Sequence, residues 1–395
     1  MKDYKSENIR NIVLMGHGGS GKSSLGEAML FDSGATTRMG SINDGTTVAD
    51  FDEEEIRRHI SLMTTLLPIE WAGYKLNVLD TPGYTDFAGD VKGAARVADC
   101  ALIAVDSVAG VEVGTELAWN YADEYKTPRI VCIAKMDREN ANWRTALDSL
   151  TQAFSANFVP LQLPMGSQSD FSGVVDLVTM KARLGMKGEA GEVPAALKEE
   201  VAEFRLKLME AAAEGDDELI MKYLDGQELT EDEIQRGFKI AIAKGSVVPV
   251  LCCAGTGNIG VAALMDALIA FAPSPLDVGV AKAKNLATQA EEEIAPRQDA
   301  ALVALVFKTT ADPYVGKLTY FRVYGGLLSS DSRVFNASKG QEERIGQVYV
   351  MRGKEQIPVA SIRPGDIGAV AKLANTSTGD TLCDKGHPLT LTPPT

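Results

Sequence analysis

Gly16-His17-Gly18-Gly19-Ser20-Gly21-Lys22-Ser23 decides the reading of this 395-residue chain. It follows the apolar run Ile12-Val13-Leu14-Met15 and precedes the helix-like Ser24-Leu25-Gly26-Glu27-Ala28-Met29-Leu30. Strand, glycine-rich turn and helix start is the setting in which GxxxxGK[ST] signifies a phosphate-binding loop. The glycines allow backbone N–H groups to turn inward on an anion, and the helix that follows presents its positive end. On this reading the residues from His17 through Gly18, Gly19, Ser20, Gly21, Lys22 and Ser23 to Ser24 cradle phosphates. Lys22 reaches the outer phosphates and Ser23 offers a hydroxyl to Mg²⁺.

Working outward, residues 1–155 alternate strand and helix signals. Strands are expected at Ile9–Met15, Leu66–Ala72, Tyr74–Asp80, Ala101–Asp106 and Arg129–Ala134, and helices at Ala88–Ala98, Val113–Tyr125 and Trp143–Phe154. Ala72-Gly73 reads as a tight hairpin turn. The remainder reads as βα units, which gives a mostly parallel sheet with helices on both faces. Residues 156–245 break the rhythm, with the strand-like Gly173–Val178 followed by a long charged helix from Pro194 to Glu214. They read as an α+β insertion before the strand at 246–254 and the helix at 260–272. The α/β domain thus comprises 1–155 and 246–285. Residues 275–298 read as a connector, with Glu291-Glu292-Glu293 as a solvated run. The apolar segments Ala301–Lys308, Lys317–Tyr324, Ser332–Phe335, Ile345–Met351 and Ile367–Leu373, set between glycine turns, suggest an all-β barrel over 286–395.

Composition narrows the class. The net charge is −15, with 15 acidic against 7 basic residues between Lys187 and Lys239. A generally basic surface for DNA is therefore not expected. The five cysteines sit mostly in apolar strand-like runs without a CxxC pair, which fits reduced thiols in a cytoplasmic protein. The first residues lack an apolar signal region and no apolar run approaches membrane-spanning length, so no membrane association is expected.

Two further motifs define the nucleotide chemistry. Asp80-Thr81-Pro82-Gly83 ends the strand at 74–80; there Asp80 can hold Mg²⁺ through water and the Gly83 N–H can meet a γ-phosphate. Ala134-Lys135-Met136-Asp137 follows the strand at 129–134. Asp137 can accept from guanine N1 and N2, which adenine does not offer, and the Lys135 stem can pack on the base. Cys253, Ala254 and Gly255 then offer backbone N–H to guanine O6. Between these motifs, Gly45–Leu62 is a polar loop in which Ser61 is the candidate hydroxyl for Mg²⁺ and the γ-phosphate.

Together these motifs resemble the translational GTPases of the elongation factor G type over nearly the whole chain. Arg58-His59-Ile60-Ser61-Leu62 stands where that family writes RGITI, making Ser61 the counterpart of its Mg²⁺-binding threonine. DTPGYTDF over Asp80–Phe87 stands where it writes DTPGHVDF. Val306-Phe307-Lys308, Asp312–Leu318, Gly365–Gly368 and Thr378–Cys383 are similar to its second domain, an EF-Tu-like all-β barrel, and 156–245 to the subdomain inserted in its GTPase domain. The resemblance implies a P-loop GTPase fold, binding of GTP and GDP with Mg²⁺, hydrolysis of GTP, and action on the ribosome through ribosomal RNA and a stalk protein. In the last role the acidic helix bearing Glu199, Glu200, Glu203 and Glu210 would face the stalk protein. A monomer is expected. The family continues through further domains that move tRNA and mRNA, so a fragment that does not translocate is expected.

The departures carry information. GHGGSGKS replaces AHIDAGKT, Ala134 replaces the asparagine of NKMD, and Tyr84 replaces the histidine that orients the attacking water. Gly19 with Tyr84 resembles the elongation factor G-like paralogue group. The catalytic set implied is Tyr84, Lys22, Gly83 and Ser61, with slow intrinsic hydrolysis because a phenol in place of the histidine is a poor proton acceptor near neutrality. Three readings stay open: a ribosome-acting GTPase, a GTP-dependent binding module with negligible hydrolysis, and a P-loop NTPase of relaxed base selectivity.

Overall fold

The computed structural model describes residues 1–395. The phosphate loop follows β1 (Ile9–Gly16), all of whose residues are buried, and runs into α1 (Lys22–Asp32). Next come α2 (Glu53–Arg58), the hairpin β2 (Thr65–Trp71) and β3 (Tyr74–Asp80), α3 (Ala88–Val97), β4 (Cys100–Asp106), α4 (Val113–Glu124), β5 (Arg129–Ala134) and α5 (Trp143–Ala153). The β2–β3 turn is the expected Ala72-Gly73, with φ of 49° and 83°, the left-handed pair that a two-residue hairpin requires. Then follow β6 (Phe158–Pro160), β7 (Gln162–Met165), β8 (Gly173–Asp176), β9 (Lys181–Leu184), β10 (Glu189–Gly191), α6 (Lys198–Glu214), α7 (Asp217–Leu224), α8 (Glu231–Ala243), β11 (Val248–Cys252), α9 (Val261–Phe271) and α10 (Pro275–Val278).

Seven strands form one sheet in the order β2-β3-β1-β4-β5-β11-β6, parallel except for the β2–β3 hairpin. Their near-continuous apolar sequences follow from burial on both faces. The chain-order jump between β1 and β3 opens the carboxyl edge at the phosphate loop, where doubly wound sheets take ligands. The pairing shifts the expected partition at both ends. β6 lies within the expected insertion but pairs with β11 at the sheet edge, so the separate antiparallel sheet begins only at β7. The expected connector instead holds a hairpin of β12 (Ala281–Asn285) and β13 (Glu291–Ile294). The acidic run reads as solvated because only one face of this small hairpin is buried. Its Glu292 accepts from Asn285 Nδ2 at 2.6 Å and pairs with His387 at 2.6 Å.

The C-terminal third is an antiparallel β-domain. Its central pair is β14 (Val303–Asp312) and β15 (Gly316–Gly325), and the core holds Val306, Phe321, Val323, Val334, Val350 and Leu382. The expected strand 345–351 is two strands, 341–345 and 348–352, broken at Gly346. The longest apolar helical stretch, Val261–Val278 with mean hydropathy 1.5, is 67% buried and interrupted between α9 and α10. By length and composition alone it reaches what a membrane span needs, contrary to the expectation from sequence, and its burial in the fold accounts for its apolarity. All five cysteines are free and buried.

A buried polar seam joins the β-domain to the amino-terminal half of β1 and β3. Lys75 Nζ binds both oxygens of Asp366 at 3.0 and 2.9 Å, and Asn77 Nδ2 donates to the same carboxylate at 2.8 Å. Asn11 Nδ2 donates to the Gly365 carbonyl at 2.7 Å, and Arg322 Nη1 to Asp99 at 2.7 Å and the Val97 carbonyl at 2.6 Å. Lys308 reaches from β14 to the carbonyl of Thr64, just before β2. At Gly93 on α3 a Cβ would stand 2.7 Å from the Phe307 carbonyl, so the glycine lets helix and β-domain touch.

Candidate nucleotide site

The phosphate loop is shaped by three glycines with positive φ: Gly16 (153°), Gly19 (83°) and Gly21 (99°). The first bond of α1 runs from Leu25 N–H to the Gly21 carbonyl, so the N–H groups of Lys22, Ser23 and Ser24 have no helical acceptor. They open on a cavity of about 480 Å³ lined by Gly18, Gly19, Gly21 to Ser24, Ser61, Gly83, Tyr84 and Lys135. Ten of the residues singled out from sequence therefore share one cavity. Lys22 Nζ donates to the carbonyls of Gly16 and His17 at 3.1 and 2.9 Å, and burial lowers its pKa to about 8.

The other expected loop residues serve the loop rather than line the cavity. His17 turns away, accepting from the Gly114 N–H through Nδ1 at 3.0 Å with Nε2 3.7 Å from Glu112. Ser20 is 1% exposed, and its N–H is held by the His17 carbonyl. The Gly18 N–H is bound to the Gly83 carbonyl at 3.1 Å. Thus Gly18 and Ser20, both expected to cradle phosphates, have their N–H groups engaged within the chain. Gly83 is glycine because of close approach: its Cβ would stand 2.5 Å from Gly18 N and 2.7 Å from Lys22 Nζ.

Beside the loop lies an oxygen cluster. Ser23 Oγ donates to Asp80 Oδ2 at 2.8 Å and lies 3.1 Å from Ser61 Oγ, which donates to Asp50 Oδ1 at 2.6 Å. Asp80 Oδ1 is buried without a partner. Burial, reinforced by the charge of Asp50, pushes the Asp80 carboxyl up to about 7; burial also raises Asp50. Hydroxyls, carboxylates and one orphaned carboxylate oxygen are the donor set that suits Mg²⁺, which takes few protein ligands and completes its shell with phosphates and water. Asp50 was missed by the sequence reading. Glu55 was also missed: it receives the N–H groups of Leu62 (2.9 Å), Met63 (3.3 Å) and Asp52 (3.2 Å), which fixes the chain on both sides of Ser61.

On the base side, Lys135 has φ of 60°, and its Nζ donates to the carbonyl of Gly19. Its stem lies 3.5 Å from where a Gly21 Cβ would be. This bond ties the loop at 134–137 to the phosphate loop, where Ala134 has no amide to add a second tie. Asp137 is exposed outside the cavity wall, with Oδ2 facing Gly257. Cys253 and Ala254 are corrected as donors to a base: their N–H groups are taken by the carbonyls of Ile133 (3.0 Å) and Ile259 (2.9 Å). Of the three, Gly255 alone keeps an uncommitted N–H, and Thr256 beside it lines the cavity.

Comparison with known proteins accords with this geometry. Residues 7–274 match the family model for the elongation factor Tu GTP binding domain, and residues 301–385 that for elongation factor G domain 2. The chain is 40% identical over 390 residues to elongation factor G of Thermotoga petrophila, covering 98% of this chain and 56% of that protein. Elongation factor G of Thermotoga neapolitana gives the same figures. The chain therefore spans little more than half the length of these relatives. A crystal structure of a protein from Thermus thermophilus superposes with a TM-score of 0.85 at 32% identity, over 96% of this chain and 54% of that one. By both domain models and by identity along almost its full length, the chain belongs to the elongation factor G-like translational GTPases.

Proposed function

We propose that the chain binds GTP and GDP with Mg²⁺ and hydrolyses GTP to GDP and phosphate, slowly on its own, while acting on the ribosome. The observation that carries this reading is the convergence of Lys22, Ser23, Ser61, Gly83 and Tyr84 on one cavity beside the buried Asp80. The free N–H groups of Lys22, Ser23 and Ser24 receive the inner phosphates, and Lys22 is shared between the outer phosphates and its carbonyl partners. Ser23 and Ser61 would hold Mg²⁺, with Asp80 and Asp50 behind them. When bound, the ion would neutralise the negative charge that develops on the phosphates. Gly83 offers its N–H to the γ-phosphate. Tyr84 orients the water that attacks the γ-phosphorus as its bond to the bridging oxygen breaks. Guanine is chosen by Asp137 and the Gly255 N–H, with Lys135 along the ring.

Tyr84 also favours a second reading, a GTP-dependent binding module with negligible hydrolysis, because a phenol is a weak base near neutrality. Relaxed base selectivity is a third, motivated by Ala134 and opposed by Asp137. The acidic α6 supports a basic partner on the ribosomal stalk. Glu199, Glu203 and Glu210 lie on its exposed side, whereas Glu200 is tied to Arg144 at 2.7 Å. Cytoplasmic location and a monomeric state go with this reading. Single-turnover hydrolysis by the parent, Tyr84→His and Tyr84→Phe, with and without ribosomes, tests it. Hydrolysis slowed in Tyr84→Phe supports a catalytic hydroxyl, and equal rates in all three remove Tyr84 from the mechanism.

A further inference from the structure

Gly18 and Tyr84 are in contact in a way that neither backbone geometry nor phosphate binding explains. Gly18 stands in a loop whose other glycines are demanded by their φ, yet its own φ lies outside the left-handed region. What a side chain at 18 would displace is the ring of Tyr84. A Cβ on Gly18 would stand 2.6 Å from Cζ, 2.8 Å from Cε2 and 3.0 Å from Cε1. Those atoms form the hydroxyl-bearing end of the ring, so the phenol lies over the bare face of the loop. The chain beneath is pinned by the bond from Gly18 N–H to the Gly83 carbonyl. Behind the ring, a cleft of about 20 Å³ is bounded by Ala88, Val91, Leu117 and Tyr121. Tyr84 is 44% exposed, and its hydroxyl takes part in no hydrogen bond within the chain. Nothing but contact holds the ring where it is.

We infer that Gly18 is a positioning residue: by carrying no side chain it seats Tyr84 with its hydroxyl over the outer end of the phosphate site. The seat makes the glycine at 18 and the tyrosine at 84 a single device rather than two separate departures from AHIDAGKT and DTPGH. It rests on the reading of Tyr84 as the group that orients water. Adding a methyl at 18 leaves the backbone unstrained, because the clash falls on the free end of a half-exposed side chain. The ring swings out, and the fold and the phosphate cradle remain.

The test is a double-mutant cycle on single-turnover GTP hydrolysis, with fluorescent GDP affinity measured on every variant as a check on folding and binding. Tyr84→Ala is expected to slow hydrolysis about 10²-fold, the lower end of what a positioned group adds. Gly18→Ala is expected to slow it to a similar extent in the parent, and by no more than about twofold in the Tyr84→Ala background. GDP affinity is expected to stay within about threefold throughout, so that the loss sits in the chemical step. If Tyr84→Ala hydrolyses at the parent rate, the catalytic reading of Tyr84 falls. If Tyr84→Ala is slow but Gly18→Ala is not, or the two losses multiply, the seat is wrong and the catalytic reading stands. A loss of GDP affinity in Gly18→Ala also overturns the seat.

Discussion

Replacing Lys75 by methionine removes the cation from the seam between the sheet and the β-domain while keeping an apolar stem of similar length. Lys75 is 1% exposed at its side chain and Asp366 13%, so neither charge is well served by solvent. Removing one partner of a buried pair costs about 3–5 kcal/mol. In Lys75→Met the Asp366 carboxylate keeps two neutral donors, Asn77 Nδ2 and the Ile367 N–H, each at 2.8 Å. The loss therefore falls near the low end, about 3 kcal/mol. Asp366→Leu strands the ammonium instead and lies near the high end. The double replacement costs less than the sum, because no charge is left alone. The assay is urea denaturation followed by two probes. All three tryptophans, Trp71, Trp119 and Trp143, lie before residue 281, so their fluorescence reports the α/β part while circular dichroism reports the whole chain. The parent should show coincident transitions, and Lys75→Met an earlier tryptophan transition that separates from the dichroism. An unchanged midpoint, or a double variant that loses the full sum, would refute the reasoning.

Further outcomes follow from the nucleotide site. Burial raises the Asp80 carboxyl to about 7, so below that pH it is protonated in the free protein and Mg²⁺ must displace a proton. Mg²⁺-supported GDP affinity should fall as pH drops from 8 to 6, approaching about tenfold per unit below the pKa, and Asp80→Asn should flatten the profile; a flat parent profile counts against it. Lys135→Ala removes the link to the Gly19 carbonyl and should weaken GDP by about 1–2 kcal/mol, read by fluorescent nucleotide titration, whereas an unchanged affinity denies the brace. Asp137→Ala should weaken GDP at least about 10²-fold, since it removes two hydrogen bonds to a charged acceptor, and leave ADP unchanged.

The parts of the site that were legible in sequence are the contiguous ones. The phosphate loop and Asp80–Gly83 each pack their chemistry into a few residues between a strand and a helix, so local pattern carries them. What long-range contact decides was not legible. Asp50 shares its loop with Asp52, Glu53, Glu54 and Glu55, and no spacing separates the acid that meets Ser61 from those that cap α2. The engagement of the Cys253 and Ala254 N–H groups depends on partners at Ile133 and Ile259. The brace from Lys135 to Gly19 spans 116 positions, and the missing amide of Ala134 hinted only at a gap. For the fold, the sheet and β-domain followed from alternating apolar runs. The strand Glu291–Ile294 escaped because three glutamates conceal a ladder stabilised on one face by Asn285 and His387.

The account stands most directly on nucleotide choice. Titrating the purified chain with fluorescent GDP, GTP, ADP and ATP in Mg²⁺, at a pH above 7, measures it in one experiment. The account predicts Mg²⁺-dependent binding of both guanine nucleotides and adenine nucleotides weaker by at least about 10²-fold, the worth of the Asp137 contacts. Equal affinity for ATP and GTP, or guanine binding that ignores Mg²⁺, would contradict it.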